Sequence, residues 1–232
     1  MTFAVFRKEL KVLWASPLPY VLAAVFHATF GVLAWGQIAG RGQAVFQPAV
    51  PIAGFLLLLV APIVASRTFA EEIRTGTLEL LLAIPVRGVA LVAGKYLAVL
   101  VTLAALVAPI AVLAFLVSVY GDPDPGPIGS GFVGLLLLCA AVGAVSVFVS
   151  ALTRSQPLAA VGSLFAVLVL WFAHTGSEAL TVGGFFGALS ISERLRSFAG
   201  GLIDLADLTF FLSITVVALA ATLAAVESRR WR

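Results

Sequence analysis

Read for polarity, the chain alternates between long apolar runs and short charged islands. Six runs approach or exceed the roughly 20 residues that a helix needs to cross a hydrocarbon core. They are Leu18 to Ile38, Ala49 to Ser66, Val89 to Tyr120, Ile128 to Leu152, Pro157 to His174 and Leu208 to Val226. The third run is long enough to project beyond the bilayer. The alternating pattern of short segments that marks an outer-membrane barrel is absent. The expectation is an all-α, polytopic membrane protein with six transmembrane helices in one membrane domain, residues 1–232.

The stretches between the runs carry periodicities of their own. Residues 1–16 place Phe3, Phe6, Leu10 and Leu13 or Trp14 at helical spacing, with Arg7, Lys8, Glu9 and Lys11 between them. This predicts an amphipathic helix lying on the membrane surface. It is not read as a cleavable leader, because the apolar run behind it is too long and no convincing small-residue cleavage site precedes Gly36. The segment from Phe69 to Pro85 is a charged island: Glu71, Glu72 and Arg74, then Gly76-Thr77, then Glu79 inside a leucine run closed by Pro85. A short helix over Phe69–Arg74 is expected to face water. Gly76 allows a break, Thr77 an N-cap for a second short helix, and Pro85 a stop. A solvated loop would need no leucine-rich continuation, so the segment reads as a surface element that docks on a soluble partner. Between the fifth and sixth runs, residues 175–207 hold Leu189, Ile191, Leu195, Phe198, Leu202 and Leu205 among charged residues. That predicts one or two amphipathic helices at the opposite interface, hinged at Gly200-Gly201.

Composition adds class and orientation. Of the 232 residues 62% are hydrophobic and only 11% charged, with mean hydropathy +1.14 and net charge +3. Too few polar residues are present to cover a soluble fold of this length. The lone Cys139 excludes an intrachain disulfide, and no basic stripe or motif points to nucleic acid. Arg7, Lys8, Lys11, Arg67, Arg74, Arg87, Lys95, Arg154, Arg229, Arg230 and Arg232 fall on one side of the predicted membrane, and only Arg41, Arg194 and Arg196 on the other. The positive-inside rule then sets both termini and the Phe69–Pro85 island in the cytoplasm.

Motifs for bond chemistry are missing. Gly94-Lys95 is the one candidate for a phosphate-cradling loop, but Tyr96 follows where Ser or Thr is required and Val89 stands where the first glycine belongs. His174 and Glu178 share helical spacing without a third ligand, so no metal site is predicted. His27, inside the first run, reads as a neutral histidine bonded to a neighbouring helix. Gly36/Gly40 and Gly183/Gly187 have small-xxx-small spacing. Asp204 and Asp207 read as caps at the start of the sixth helix.

The run Phe69-Ala70-Glu71-Glu72-Ile73-Arg74-Thr75-Gly76-Thr77-Leu78-Glu79-Leu80-Leu81-Leu82-Ala83-Ile84-Pro85, followed by Gly94-Lys95-Tyr96-Leu97-Ala98, resembles the signature of ABC-2-type transporter permeases. Arg7-Lys8-Glu9-Leu10, Ser16-Pro17-Leu18-Pro19-Tyr20 and the run Ser197 to Asp207 are similar to the gliding-motility and nitrous-oxide-reductase-maturation branch. Arg154-Ser155-Gln156 stands where that branch has a more acidic or amide-rich turn, and Gly200 where arginine is usual. The resemblance implies a six-helix half-transporter in a bacterial inner membrane, paired with a second permease subunit, identical or homologous. It implies two cytosolic ABC ATPase subunits, which bind the ATP and Mg, so this chain holds no cofactor itself. Phe69, Glu71, Glu72, Arg74, Gly76, Thr77 and Glu79 would form the ATPase-coupling segment. The helix carrying Arg7, Lys8, Glu9 and Lys11 would be a second contact, and the first and fifth spans most of the dimer interface. Leu195, Phe198, Asp204 and Asp207 would belong to an outer gate, with a periplasmic or accessory protein as a further partner.

On this reading the chain transmits work from ATP hydrolysis and does no chemistry of its own. Its cargo would be lipid-like or amphiphilic, or its output purely mechanical. A stand-alone ion-coupled carrier predicts acidic residues inside the spans, and every carboxylate lies at a loop or helix end. An intramembrane enzyme predicts convergence of at least three of His27, His174, Glu178, Asp204 and Asp207. A scaffold that recruits the ATPase without moving cargo is the alternative. Lysine at positions 71 and 72 is expected to uncouple the ATPase.

Overall fold

The computed structural model describes residues 2–41, 46–83, 87–121, 124–173 and 189–230. Among them the chain is almost wholly helical, with no strand. The helices are α1 (Thr2–Ala15), α2 (Leu18–Arg41), α3 (Ala49–Ala65), α4 (Arg67–Thr75), α5 (Thr77–Ala83), α6 (Gly88–Val107), α7 (Ile110–Tyr120), α8 (Pro125–Leu152), α9 (Gln156–Trp171), α10 (Ile191–Ala199) and α11 (Leu205–Arg230).

Among the described residues five helical stretches are long and apolar enough to cross a membrane: Leu18–Gly40, Ala49–Thr75, Gly88–Tyr120, Pro125–Leu152 and Leu205–Arg229. The chain is therefore a multi-pass membrane protein. The expected fifth span is α9, which is apolar but only 16 residues long. It ends at Trp171, and His174, Glu178, Gly183 and Gly187 lie outside the described residues. The expected third span is not one continuous helix. It breaks between α6 and α7 at Ala108-Pro109, because proline has no N–H to donate and its ring clashes with the preceding turn. The fourth span starts three residues earlier than expected, at Pro125. Asp124 caps it by accepting from the Gly126 N–H at 3.0 Å, and prolines suit a first helical turn.

Helix α8 is the organising rod. It packs against α3, α4, α6, α9, α10 and α11. The core along it joins Leu57, Leu58, Leu103, Leu135, Leu138, Val142, Val167, Phe198 and Phe211. Cys139 is buried there as a free thiol. The outward faces are apolar too: Val21, Val25, Val32 and Trp35 on α2, Leu158, Val161 and Phe165 on α9, and Val216 and Val217 on α11 are all exposed. Such faces suit hydrocarbon as solvent. Added Cβ atoms at Gly36 or Gly40 would meet nothing within 4 Å, so that small-residue face is unpacked among the described residues.

Candidate functional site

Two ends of α8 gather the polar residues. At its C-terminal end, α3 passes through a turn at Ser66 into α4, and the turn is tied down by Ser150. The Ser150 hydroxyl accepts from the N–H groups of Phe69 and Ala70, each at 3.1 Å, and donates to the Ser66 carbonyl at 2.9 Å. Free amides at a helix start need such partners. Helix α4 buries Thr68, Phe69, Ala70 and Ile73 and leaves Glu71 and Arg74 exposed, paired to each other at 3.6 Å. It ends at Gly76, whose φ of 72° is left-handed and whose N–H returns to the Glu72 carbonyl. A residue with a Cβ is disfavoured in that conformation. The expected break at Gly76 is therefore present. Thr77 does not stand before the next helix as a cap; it is the first residue of α5, and its hydroxyl donates back to the Glu72 carbonyl at 3.4 Å. Glu79 and Leu80 on α5 face solvent. Ile84 to Val86, including the expected stop at Pro85, lie outside the described residues.

Helix α1 lies along α6, and the contact is close because Gly94 has no side chain. A Cβ there would sit 2.8 Å from Val5 Cβ and 3.0 Å from the Thr2 carbonyl oxygen. Glu9, one helical turn beyond Val5, faces the same way. It therefore does not join Arg7 and Lys11 on the exposed face, as its sequence neighbours suggest, but is buried. The same correction applies to Glu72, which turns inward while Glu71 and Arg74 remain outside.

Both carboxylates converge on Lys95, two turns into α6 and 1% exposed. Its Nζ lies 2.8 Å from Glu72 Oε1 and 3.1 Å from Glu9 Oε1, donates to the Thr68 carbonyl at 2.8 Å, and sits 5.2 Å from the centre of the Phe69 ring. Lys8 closes the group at 3.0 Å from Glu9 and 3.4 Å from Glu72. The four formal charges cancel, as a buried ionic group requires. Partial burial disfavours the Lys8 ammonium, but its hydrogen bond and attraction to Glu9, then Glu72, outweigh that and raise its pKa above 10.5. Glu72 Oε2 and Arg67 Nε are buried without a hydrogen-bond partner among the described residues, although Arg67 Nη1 donates to Ser16 Oγ at 3.1 Å. Over this group lies a cavity of about 490 Å³ between α1 and the α4–α5 segment, lined by Lys8, Glu9, Val12 and Leu13 on one wall and Arg67, Glu71, Glu72, Thr77, Leu80 and Leu81 on the other, with Lys95 between them.

The other end of α8 holds α10. Leu195 and Phe198 are buried in the core rather than half-exposed, and Ser130 donates to the Phe198 carbonyl at 2.6 Å. Helix α10 closes at Gly200-Gly201, where Gly201 has a φ of 91°. Asp204 caps α11 by accepting from the Ala206 N–H at 3.0 Å, as expected. Asp207 has a different partner: Arg194 of α10, Nη1 to Oδ1 at 2.7 Å, with the guanidinium over the Phe210 ring. His27 Nδ1 bonds its own helix at Ala23 O, at 2.7 Å, rather than a neighbouring helix, and its Nε2 is buried without a partner among the described residues. Among the described residues no group of three His, Cys, Asp or Glu comes together as a metal site would need.

The inner site thus unites Glu9, Glu72 and Lys8, which the sequence singles out, with Lys95, Ser150 and Arg67, to which it assigns no role there. A lysine within an apolar run must find carboxylates, and that signal was available. No curated protein matches the chain. Residues 14–183, well over half of it, match the family described as "ABC-2 family transporter protein". The match takes in the α4–α5 segment and Lys95 but leaves out most of α1 and all of α10 and α11. With that match over well more than half of its length and helices long enough to cross a bilayer, the chain belongs to the ABC-2 family of transporter proteins, as a membrane permease subunit of an ABC transporter.

Proposed function

We propose that a cytosolic ABC ATPase docks on the α4–α5 segment of this chain and that ATP binding and hydrolysis there rock the membrane helices between two arrangements. The observation that carries the reading is the outward face of the α4–α5 segment, which exposes Glu71, Arg74 and Glu79 together with Leu80, itself 68% exposed. A short helix pair offering a bare leucine among acids suits a groove with an apolar floor and basic edges. Helix α1 forms the second contact. The chain crosses a bacterial inner membrane six times, with α9 as a short fifth crossing accommodated by local thinning of the bilayer and both termini in the cytoplasm. Two copies, or this chain and a homologue, pair through α2 and α9. Helix α10, with Leu195 and Phe198 packed and Asp204 and Asp207 at its exit, is the outer gate. The branch is that of the gliding-motility and nitrous-oxide-reductase-maturation permeases, on the Ser197–Asp207 run, with a periplasmic protein as a further partner. Nucleotide moves the equilibrium only through its differential affinity for the two arrangements.

The test is the double variant Glu71→Lys/Glu79→Lys. Both positions are exposed, whereas lysine at 72 would face Lys95 and disturb folding. The variant should be inserted normally yet fail to retain the ATPase on purification, with hydrolysis falling to that of the ATPase alone. Wild-type stoichiometry and stimulation in that variant would sink the docking reading. Retained stimulation without cargo movement in the wild type would favour the scaffold.

A further inference from the structure

We infer that Lys95 is a positioning residue for the docking segment: its one ammonium, shared by Glu9 and Glu72, fixes the separation between the two walls of the cavity. Its functional consequence rests on the docking reading above; its geometry does not. Helix α1 lies along α6, whereas α4 lies along α8. The walls therefore rest on different helices, which meet where α6 packs on α8, and the shared charge ties the walls to each other directly. Lys95 reaches Glu9 on one wall and Glu72 and the Thr68 carbonyl on the other within 3.1 Å. At 1% exposure the ammonium has no access to bulk water in exchange. Separating the walls would strand it or one of the carboxylates, and an uncompensated buried charge is strongly disfavoured. Glu72 is held by Oε1, which leaves Oε2 buried and without a partner among the described residues. Lys95 thus sets the direction in which that carboxylate is offered and the gap into which an incoming side chain must fit. Pre-organisation of this kind lowers the cost of association.

The test measures the gap in the isolated permease. Nitroxides at Ala4 on α1 and Arg74 on α4, both exposed, report the distance between the walls, and native Cys139 is buried away from label. The variant Lys95→Met/Glu9→Met removes the clamp, keeps Glu72, and leaves Lys8 and Glu72 in balance. The wild type should give one narrow distance distribution, and the variant a broader and longer one. Affinity of the folded variant for the ATPase should fall about tenfold. A merely structural lysine would lower thermal stability without moving the distance. A distribution as narrow as the wild type's, or affinity within about twofold, overturns the inference. Should the double variant fail to fold, Glu9→Met alone cuts only the α1 limb, and the same broadening is expected; its absence is equally decisive. A wild-type chain that binds no ATPase would remove the docking reading while the distance measurement still decides the role of Lys95.

Discussion

Two ion-pair centres at opposite ends of α8, one buried and one part-buried, use the same chemistry for different ends. The outer one joins Arg194 to Asp207 across the turn between α10 and α11, thirteen residues apart. It closes a local connection, and its guanidinium, 26% exposed and set over Phe210, keeps some contact with its surroundings. The inner one sets a single buried ammonium between carboxylates of α1 and α4, elements distant in sequence, beneath a cavity of about 490 Å³. A short-range pair stabilises a turn. A charge shared by three helices makes the position of each depend on the others.

The largest effect should therefore come from Lys95→Met alone. It leaves Glu9 and Glu72 facing each other in a buried site, with only the half-exposed Lys8 to offset them. Removing one partner of a buried ion pair costs about 3–5 kcal/mol. Denaturant unfolding in detergent should show a loss of that order, together with increased hydrogen exchange in α1 and α4. A loss confined to α6 would deny the link between the walls.

Asp207→Asn should cost less, about 1–2 kcal/mol, because asparagine can still accept from Arg194 and only the charge is lost. Unfolding would report this, and ATPase stimulation should stay near the wild-type level. An equal cost at both centres, or uncoupling by the outer substitution, would erase the distinction between them.

How far each centre is legible in the sequence follows from the same contrast. The apolar runs, the helical spacing of residues 1–16 and the break at Gly76 are local patterns, and each appears in the structure. The interruption at Pro109 was equally local and readable from proline's missing donor, yet the hydrophobicity of its run masks it. The inward turn of Glu9 and Glu72 was not readable from periodicity alone. Arg7, Lys8, Glu9 and Lys11 look like one polar face until α1 is laid on α6 at Gly94. Likewise Ser150 is an ordinary small residue of α8 until α4 begins beside it. Pairings between elements far apart along the chain leave no periodic trace. Their only sign was an imbalance: a lysine buried in an apolar helix without a neighbouring acid.

The smallest expected effect concerns Lys8, the member of the inner group nearest to water, with 56% of its side chain exposed. Its pKa is raised above 10.5 because Glu9 and Glu72 favour the ammonium more than partial burial disfavours it. A raised pKa in the folded state means the stabilisation is fully present below about pH 10.5 and is lost as pH climbs through the folded value. Solvent screening at such exposure limits it to below about 0.5 kcal/mol. Other groups titrate in the same range, so the informative quantity is the difference between wild type and Lys8→Gln, followed upward from about pH 9. That difference should be small at pH 9 and shrink toward zero at the alkaline end, and added salt should diminish it at pH 9. A difference that grows with pH would mean that Lys8 holds its carboxylates by packing of its stem rather than by charge, and the inner group would then depend on Lys95 alone for its cation.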